Sequence, residues 1–430
     1  MKILHLITIY LLLAIPGQAQ PNQNMDAWLA RNAIVQSPDS LFQFSKFNSV
    51  PDFLSDKKII AIGEPTHGSK DAQVLRSELL KYLVTYRGFR TLALEAFDKS
   101  GAANDYLIHG KGTASTPAKS LSMWFFNSEQ TVELLSWMRN FNLTHPDKVR
   151  VFGTDVNYKF DFKSFKDSLV QVNALDLKLV DSISAIDEQY LLKENPIPKN
   201  IARQLKSMVD HLNDQVLQNE KPISKAVSPR YFEFLKYSLL TYRQAIGGFI
   251  LGNSGPEYYR DSCMASNVGY IATHFSVAGK VLYAAHNGHI QKDRNYRHQT
   301  TGMFLANKYG KQYYAIGLQF SDLKFKSLGW SKDLKRYMEN TFSVSTPKQG
   351  SFAALMMACK TESFFIDFES AQKDKQFDFF FNQRRPVLYV GWYFEPPSQS
   401  YYYDKKSLTE LFDGLIYLKK SSEISFLAKE

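Results

Sequence analysis

An apolar, β-branched run, Ile59-Ile60-Ala61-Ile62, ends directly on Gly63-Glu64-Pro65-Thr66-His67-Gly68. The run predicts a buried strand. Ser69-Lys70-Asp71 and the periodic apolar positions after it predict a helix start. A carboxylate and an imidazole are thereby placed on a turn at the carboxyl end of a strand, where open α/β sheets bind ligands. The flanking glycines allow the backbone to bend sharply. Alone, this turn reads as a polar loop that happens to hold a Glu and a His. The same pattern recurs downstream, and that shifts the balance towards a catalytic site.

Further strands are predicted over residues 58–62, 91–95, 149–155 and 280–285, with later candidates at 313–318, 363–367, 386–392 and 414–418. Between the first two, Val74, Leu75, Leu79, Leu80, Leu83 and Val84 recur at helical spacing, and Gly88 stands where a helix ends. Strand, helix, strand implies parallel pairing and a right-handed crossover. Helices are predicted over 128–142 and 261–278. Residues 20–56 read as a leader with a short helix or two, and 399–403 as an aromatic loop. Residues 160–250 differ: they are rich in Lys, Asp and Gln, with Leu and Val at helical spacing and Pro196 and Pro198 in the middle. They predict a helical hairpin or subdomain inserted between core strands. The fold class is therefore α/β, a mostly parallel β-sheet flanked by helices.

The 430 residues, 44% hydrophobic, suffice for a large core, and we expect one domain over 20–430. Lys2, the apolar stretch 3–15 and Gly17-Gln18-Ala19 match a secretory signal over 1–19, too short to span a bilayer. The mature chain is expected in the periplasm or outside the cell, without stable membrane insertion. Two cysteines, Cys263 and Cys359, exclude a disulfide scaffold and a cysteine-based zinc site. They leave open one disulfide or two buried thiols. The net charge of +10 is interspersed, and no nucleic-acid-binding motif is present.

Four predicted strand ends carry ionisable groups: Glu64 with His67, Glu95, Asp155, and His286 with His289 in Ala285-His286-Asn287-Gly288-His289. In a parallel sheet they converge on one rim, which suits general acid–base chemistry. Arg76 borders the apolar face of its helix and calls for a buried carboxylate, Glu64 or Glu95. Plainer readings stand beside these. Arg76 with Glu95 reads as a structural ion pair, His289 as a supporting histidine, and Asp155 as a loop cap. His109, His145, His211, His274 and His298 fall outside the pattern. There is no Gly-x-Ser-x-Gly elbow, no Walker A motif, no Gly-x-Gly-x-x-Gly after a strand and no His-Glu-x-x-His. With no protein nucleophile evident, a water activated by His67, its ring oriented by a Glu, is the simplest chemistry.

These residues resemble the erythromycin esterase family. The similarity runs from about residue 58 to 427. It is carried by Ile62-Gly63-Glu64-Pro65-Thr66-His67-Gly68, Leu92-Ala93-Leu94-Glu95-Ala96, Trp124 to Arg139, Gly153-Thr154-Asp155, Arg260-Asp261 to Asn267, the two-histidine motif, and Leu411 to Tyr417. The resemblance implies an α/β sheet whose helical insertion shapes the cleft. It also implies hydrolysis of a macrolide lactone or another small-molecule ester, with His67 as base and Glu64, Glu95, Arg76, His286 and His289 as site residues. No cofactor is implied. Two alternatives share the fold: a metal-dependent hydrolase or peptidase using Glu64, His67, Glu95, His286 and His289 as ligands, and a non-enzymatic protein binding haem or another ligand.

Overall fold

The computed structural model describes residues 21–36, 44, 54–97, 100–121, 123–156, 160–169, 175–193, 195–252, 256–294 and 298–428. The segment read as an export signal, 1–19, lies outside them. The strands are β1 (Ile34–Gln36), β2 (Ile59–Glu64), β3 (Thr91–Phe97), β4 (Arg150–Asp155), β5 (Val281–His286), β6 (Tyr313–Ser331), β7 (Arg336–Val344), β8 (Ser363–Asp367), β9 (Arg385–Leu388), β10 (Tyr403–Lys406) and β11 (Gly414–Ser421). Among the described residues, nine of them form the main sheet in the order β1-β8-β11-β6-β2-β5-β3-β4, with β7 hairpinned onto β6. The run from β11 to β4 is parallel. Strands β8 and β1 close one edge antiparallel, and β9 and β10 make a separate ribbon.

Strand alternation divides the core into two layers. Ile60 and Ile62 of β2 face one way, with Leu92 and Leu94 of β3 and Leu282 of β5, onto Leu75, Leu79 and Leu83 of the helix Lys70–Tyr86. Ile59 and Ala61 face the other way, with Ala93, Tyr283 and Ala315, onto Val268 and Ile271 of the helix Glu257–His274. Because both faces are covered, the strands read as continuous apolar runs rather than alternating ones. The helix after β2 is capped by Ser69, whose Oγ accepts from the Ala72 amide at 3.1 Å. It is followed by Gly88 at φ +71°.

Strand β5 lies between β2 and β3, so four strand ends stand side by side. Glu64 and His286 are register partners, and Glu95 and Asp155 follow on β3 and β4. The turn after β2 is pinned. Pro65 O accepts from the Val390 amide at 2.9 Å, and Gly68 O accepts from the amides of Lys326 and Ile424 at 3.1 Å each. A Cβ on Gly68 would lie 1.8 Å from Lys326 O, so no other residue fits that approach.

Among the described residues, 160–251 carry five helices, Phe162–Leu169, Leu177–Tyr190, Lys199–Gln218, Glu220–Val227 and Pro229–Leu251. They have a core of their own that includes Phe165, Ile183, Leu205, Leu212 and Tyr242. The last helix docks on the sheet through Tyr237, whose hydroxyl donates to Gly153 O at 2.6 Å. Three local expectations are corrected. The strand expected over 313–318 runs to Ser331 and turns back as β7, since Leu323, Phe325 and Ser327 alternate inward between Lys324 and Lys326. The expected strand 386–392 ends at Leu388. The expected loop 399–403 is instead a 3₁₀ turn, Pro396–Tyr402, leading into β10. Among the described residues no helix is long and apolar enough to cross a membrane. Cys263 and Cys359 are both buried free thiols.

Candidate active site

The strand ends open into a cleft of about 510 Å³ whose lining includes His67, Glu95, Asp155, His286 and His289. The His67 ring lies flat on Phe125, with centroids 4.5 Å apart and planes 5° from parallel. Its Nδ1 is 2.7 Å from Glu64 Oε1, and Nε2 has no hydrogen-bond partner among the described residues. Burial pushes the ring towards neutrality, but the Glu64 hydrogen bond and the charges of Glu95 and Glu64 outweigh it and raise its pKa.

His286 is held differently. Its Nδ1 accepts from the Gly288 amide at 3.2 Å, and its Nε2 donates to Pro65 O at 3.2 Å. Both nitrogens are therefore used within the protein, and they fix one neutral tautomer. Burial, with His67 nearby, pushes its pKa down to about 3. Asn287 turns inward and bridges to β6, donating to Leu318 O at 2.9 Å.

His289 lies between two carboxylates, Asp261 at 2.8 Å from Nδ1 and Glu95 at 3.2 Å from Nε2. Burial disfavours its charge, yet Glu95 and Asp261 raise its pKa to about 10. Arg260 completes the group. Its Nε and Nη2 fork onto Asp155, with distances of 2.9 and 2.7 Å, and Nη2 also reaches Glu95 Oε1 at 3.0 Å. Nη1 is 3.0 Å from His289 Nε2. Glu95 is thus the hub, since its second oxygen accepts the His286 amide at 2.8 Å. Burial alone would raise Glu95, but His289, His67 and Arg260 hold its carboxyl well below the usual range.

A family model described as erythromycin esterase matches residues 84–421. The chain belongs to the erythromycin esterase family. It is 24% identical to the erythromycin esterase type II of Escherichia coli over 409 residues, covering 88% of this chain and 93% of that protein. It is 23% identical to the putative hydrolase YbfO of Bacillus subtilis strain 168 over 442 residues, 93% and 92% of the two chains. Its fold matches a mutant erythromycin esterase solved in an open conformation, with a TM-score of 0.64 at 17% identity over 93% of this chain and 99% of that one.

Of the residues named from sequence, His67, Glu95, His286 and His289 share the cleft of this erythromycin-esterase fold, and Glu64 backs His67. Arg76 is a correction. It is 4% exposed and forms no ion pair with Glu64 or Glu95; its guanidinium lies 5.2 Å from the Phe126 ring centroid and its Nε has no hydrogen-bond partner among the described residues. Glu95 is taken by Arg260 instead. Asp155 does accept its neighbour's amide, from Val156 at 2.8 Å, but it also anchors that arginine. His298, set aside from sequence, lines the cleft 3.6 Å from Asp261. The five residues offered as metal ligands do not suit one. His286 has no free nitrogen, His289 is bracketed by carboxylates, and no group of three or more such side chains among the described residues is arranged to hold an ion.

Proposed function

We propose that this chain is an exported hydrolase that cleaves a carboxylic ester or lactone with water activated by His67. The observation that carries the reading is the His67 ring: Nδ1 against Glu64 at 2.7 Å, Nε2 unpartnered, the ring at the cleft. A carboxylate on Nδ1 holds the proton there and leaves the Nε2 lone pair for water. Arg260 and His289 bring positive charge to the same floor, where negative charge develops on the carbonyl oxygen. The Nε and Nη2 of Arg260 are committed to Asp155 and Glu95 and Nη1 lies against His289, so the guanidinium acts on the oxyanion through its charge. His286, neutral and fully engaged, holds the turn rather than moving a proton. Phe97, Met123, Val156 and Phe249 give the cleft apolar walls for the body of the substrate.

The E. coli relative is described as an erythromycin esterase, which makes macrolide lactones the first substrates to try. Purified protein is assayed against macrolides and a panel of simple esters, beside His67→Asn. Hydrolysis of at least one compound is expected, reduced on the order of 10²–10⁴-fold in the variant. A variant with the wild-type rate removes His67 from the mechanism. Export rests on Lys2, the apolar stretch and Gly17-Gln18-Ala19. The mass of protein recovered outside the cytoplasm is expected to correspond to a chain starting at Gln20, and an intact Met1 contradicts cleavage.

A further inference from the structure

A row of aromatic rings stands in solvent beside the cleft. Trp330 of β6 and Tyr337 of β7 are register partners, with ring centroids 5.2 Å apart and planes at 73°. Tyr337 meets Trp392 at 5.1 Å and 65°. Trp392 also lines the cleft that holds His67. The three rings are 47%, 40% and 50% exposed, so the core does not need them. Their positions are set by backbone. The β6–β7 ladder holds two of them, and the third is held where the Leu328 amide donates to Trp392 O at 3.3 Å and the Phe394 amide to Leu328 O at 2.9 Å. Rigid, partly exposed aromatic rings that run without a break into a cleft are a recognition surface rather than leftover core.

We propose that Trp330, Tyr337 and Trp392 form a stacking platform for a saccharide portion of the substrate and lead it into the cleft. The proposal rests on the reading of that cleft as a hydrolytic site, and it narrows the substrate class to esters of oligosaccharides. A pyranose ring has a face of C–H groups and a rim of hydroxyls. The C–H face lies against an aromatic ring, and the rim needs polar neighbours. Both are present: Glu339, exposed, stands two residues along β7 from Tyr337, on the same side of the strand. The spacing from ring to ring is comparable to the length of one sugar unit. An acyl chain or a bilayer calls for a contiguous aliphatic patch, whereas this row is aromatic and interleaved with charge, with Leu334 alone at the hairpin tip as an exposed large aliphatic side chain.

Hexasaccharides of the maltose, cellulose, xylan and chitin series are titrated into the full chain by calorimetry and tryptophan fluorescence. Trp330→Ala, Tyr337→Ala and Trp392→Ala are compared with wild type, and melting temperatures confirm that each is folded. At least one hexasaccharide is expected to bind, with each variant about tenfold weaker. The proposal is overturned if none binds wild type or if the variants bind equally well. It is also overturned if these residues instead mediate binding to phosphatidylglycerol vesicles or self-association. Binding without hydrolysis of any ester keeps the platform and removes the hydrolase reading. Hydrolysis of plain esters without saccharide binding does the reverse.

Discussion

Arg76 and Arg260 each lie near a glutamate of the site, Arg76 near Glu64 and Arg260 against Glu95, yet they differ in what their loss should do. Arg260 stands between Asp155, Glu95 and His289, so Arg260→Met leaves two buried carboxylates short of a cation. Removing one partner from such a group costs roughly 3–5 kcal/mol. We expect a clear fall in melting temperature together with lost hydrolysis. Arg76 has a ring contact and an unpartnered Nε but no ion pair, so Arg76→Met exchanges a poorly satisfied charge for an apolar side chain of similar length. Its melting temperature is expected to stay close to wild type, and thermal scans of the two variants make the comparison. An Arg76→Met loss as large as that of Arg260→Met contradicts this assignment. The positions of Glu64, His67, Glu95, His286 and His289 were legible because each follows an apolar run that marks a strand end. The role of Arg260 was not. Its partners Asp155 and Glu95 are 105 and 165 residues away along the chain, and nothing local to a helix reports such a distance.

Two elements carry predictions of their own. The turn after β2 passes so close to β6 that Gly68→Ala would place a methyl 1.8 Å from a backbone oxygen. Backbone must move, and the turn bearing His67 moves with it. We expect lower stability and a larger loss of kcat than of substrate binding, read by thermal scans and steady-state kinetics. Wild-type values for both contradict the close approach. In the helical insertion, Asp187 is buried and accepts from the Tyr242 hydroxyl at 2.8 Å. Burial among apolar side chains pushes its pKa up to about 6 from an ordinary 3.8, although the Tyr242 hydrogen bond pulls the other way. The folded state therefore holds a proton that the unfolded chain has already released, and this stabilising contribution is lost as pH rises through about 6. Asp187→Asn keeps the acceptor and removes the charge. Its melting temperature is expected to fall less than that of wild type between pH 5 and pH 8, and an unchanged difference contradicts the assignment.

At the scale of the whole molecule, the function reading depends on strand order. Periodicity identified the parallel α/β class, because runs such as Ile59-Ile60-Ala61-Ile62 are apolar throughout, as strands covered on both faces are. It could not show that β5, almost two hundred residues downstream of β3, inserts between β2 and β3. Neighbours in a sheet are chosen by packing between distant segments rather than by local pattern. That insertion sets His286 against Glu64 and brings His289 to Glu95. The long β6–β7 hairpin was missed for another reason: its outer half alternates apolar and charged residues, unlike the buried strands around it.

The central claim is that His67, with Glu64 on its Nδ1, is the base that activates water. It is tested most directly by the pH dependence of kcat/KM for wild type and Glu64→Gln on a hydrolysed ester. The active form has a neutral His67, so the rate falls as pH drops. Since Glu64 raises the imidazole, the acid limb is expected above pH 6.5, the ordinary value. His286, at about 3, and His289, at about 10, titrate far from that limb. In Glu64→Gln the limb is expected to move to lower pH. An acid limb that stays in place when Glu64 loses its charge contradicts the claim.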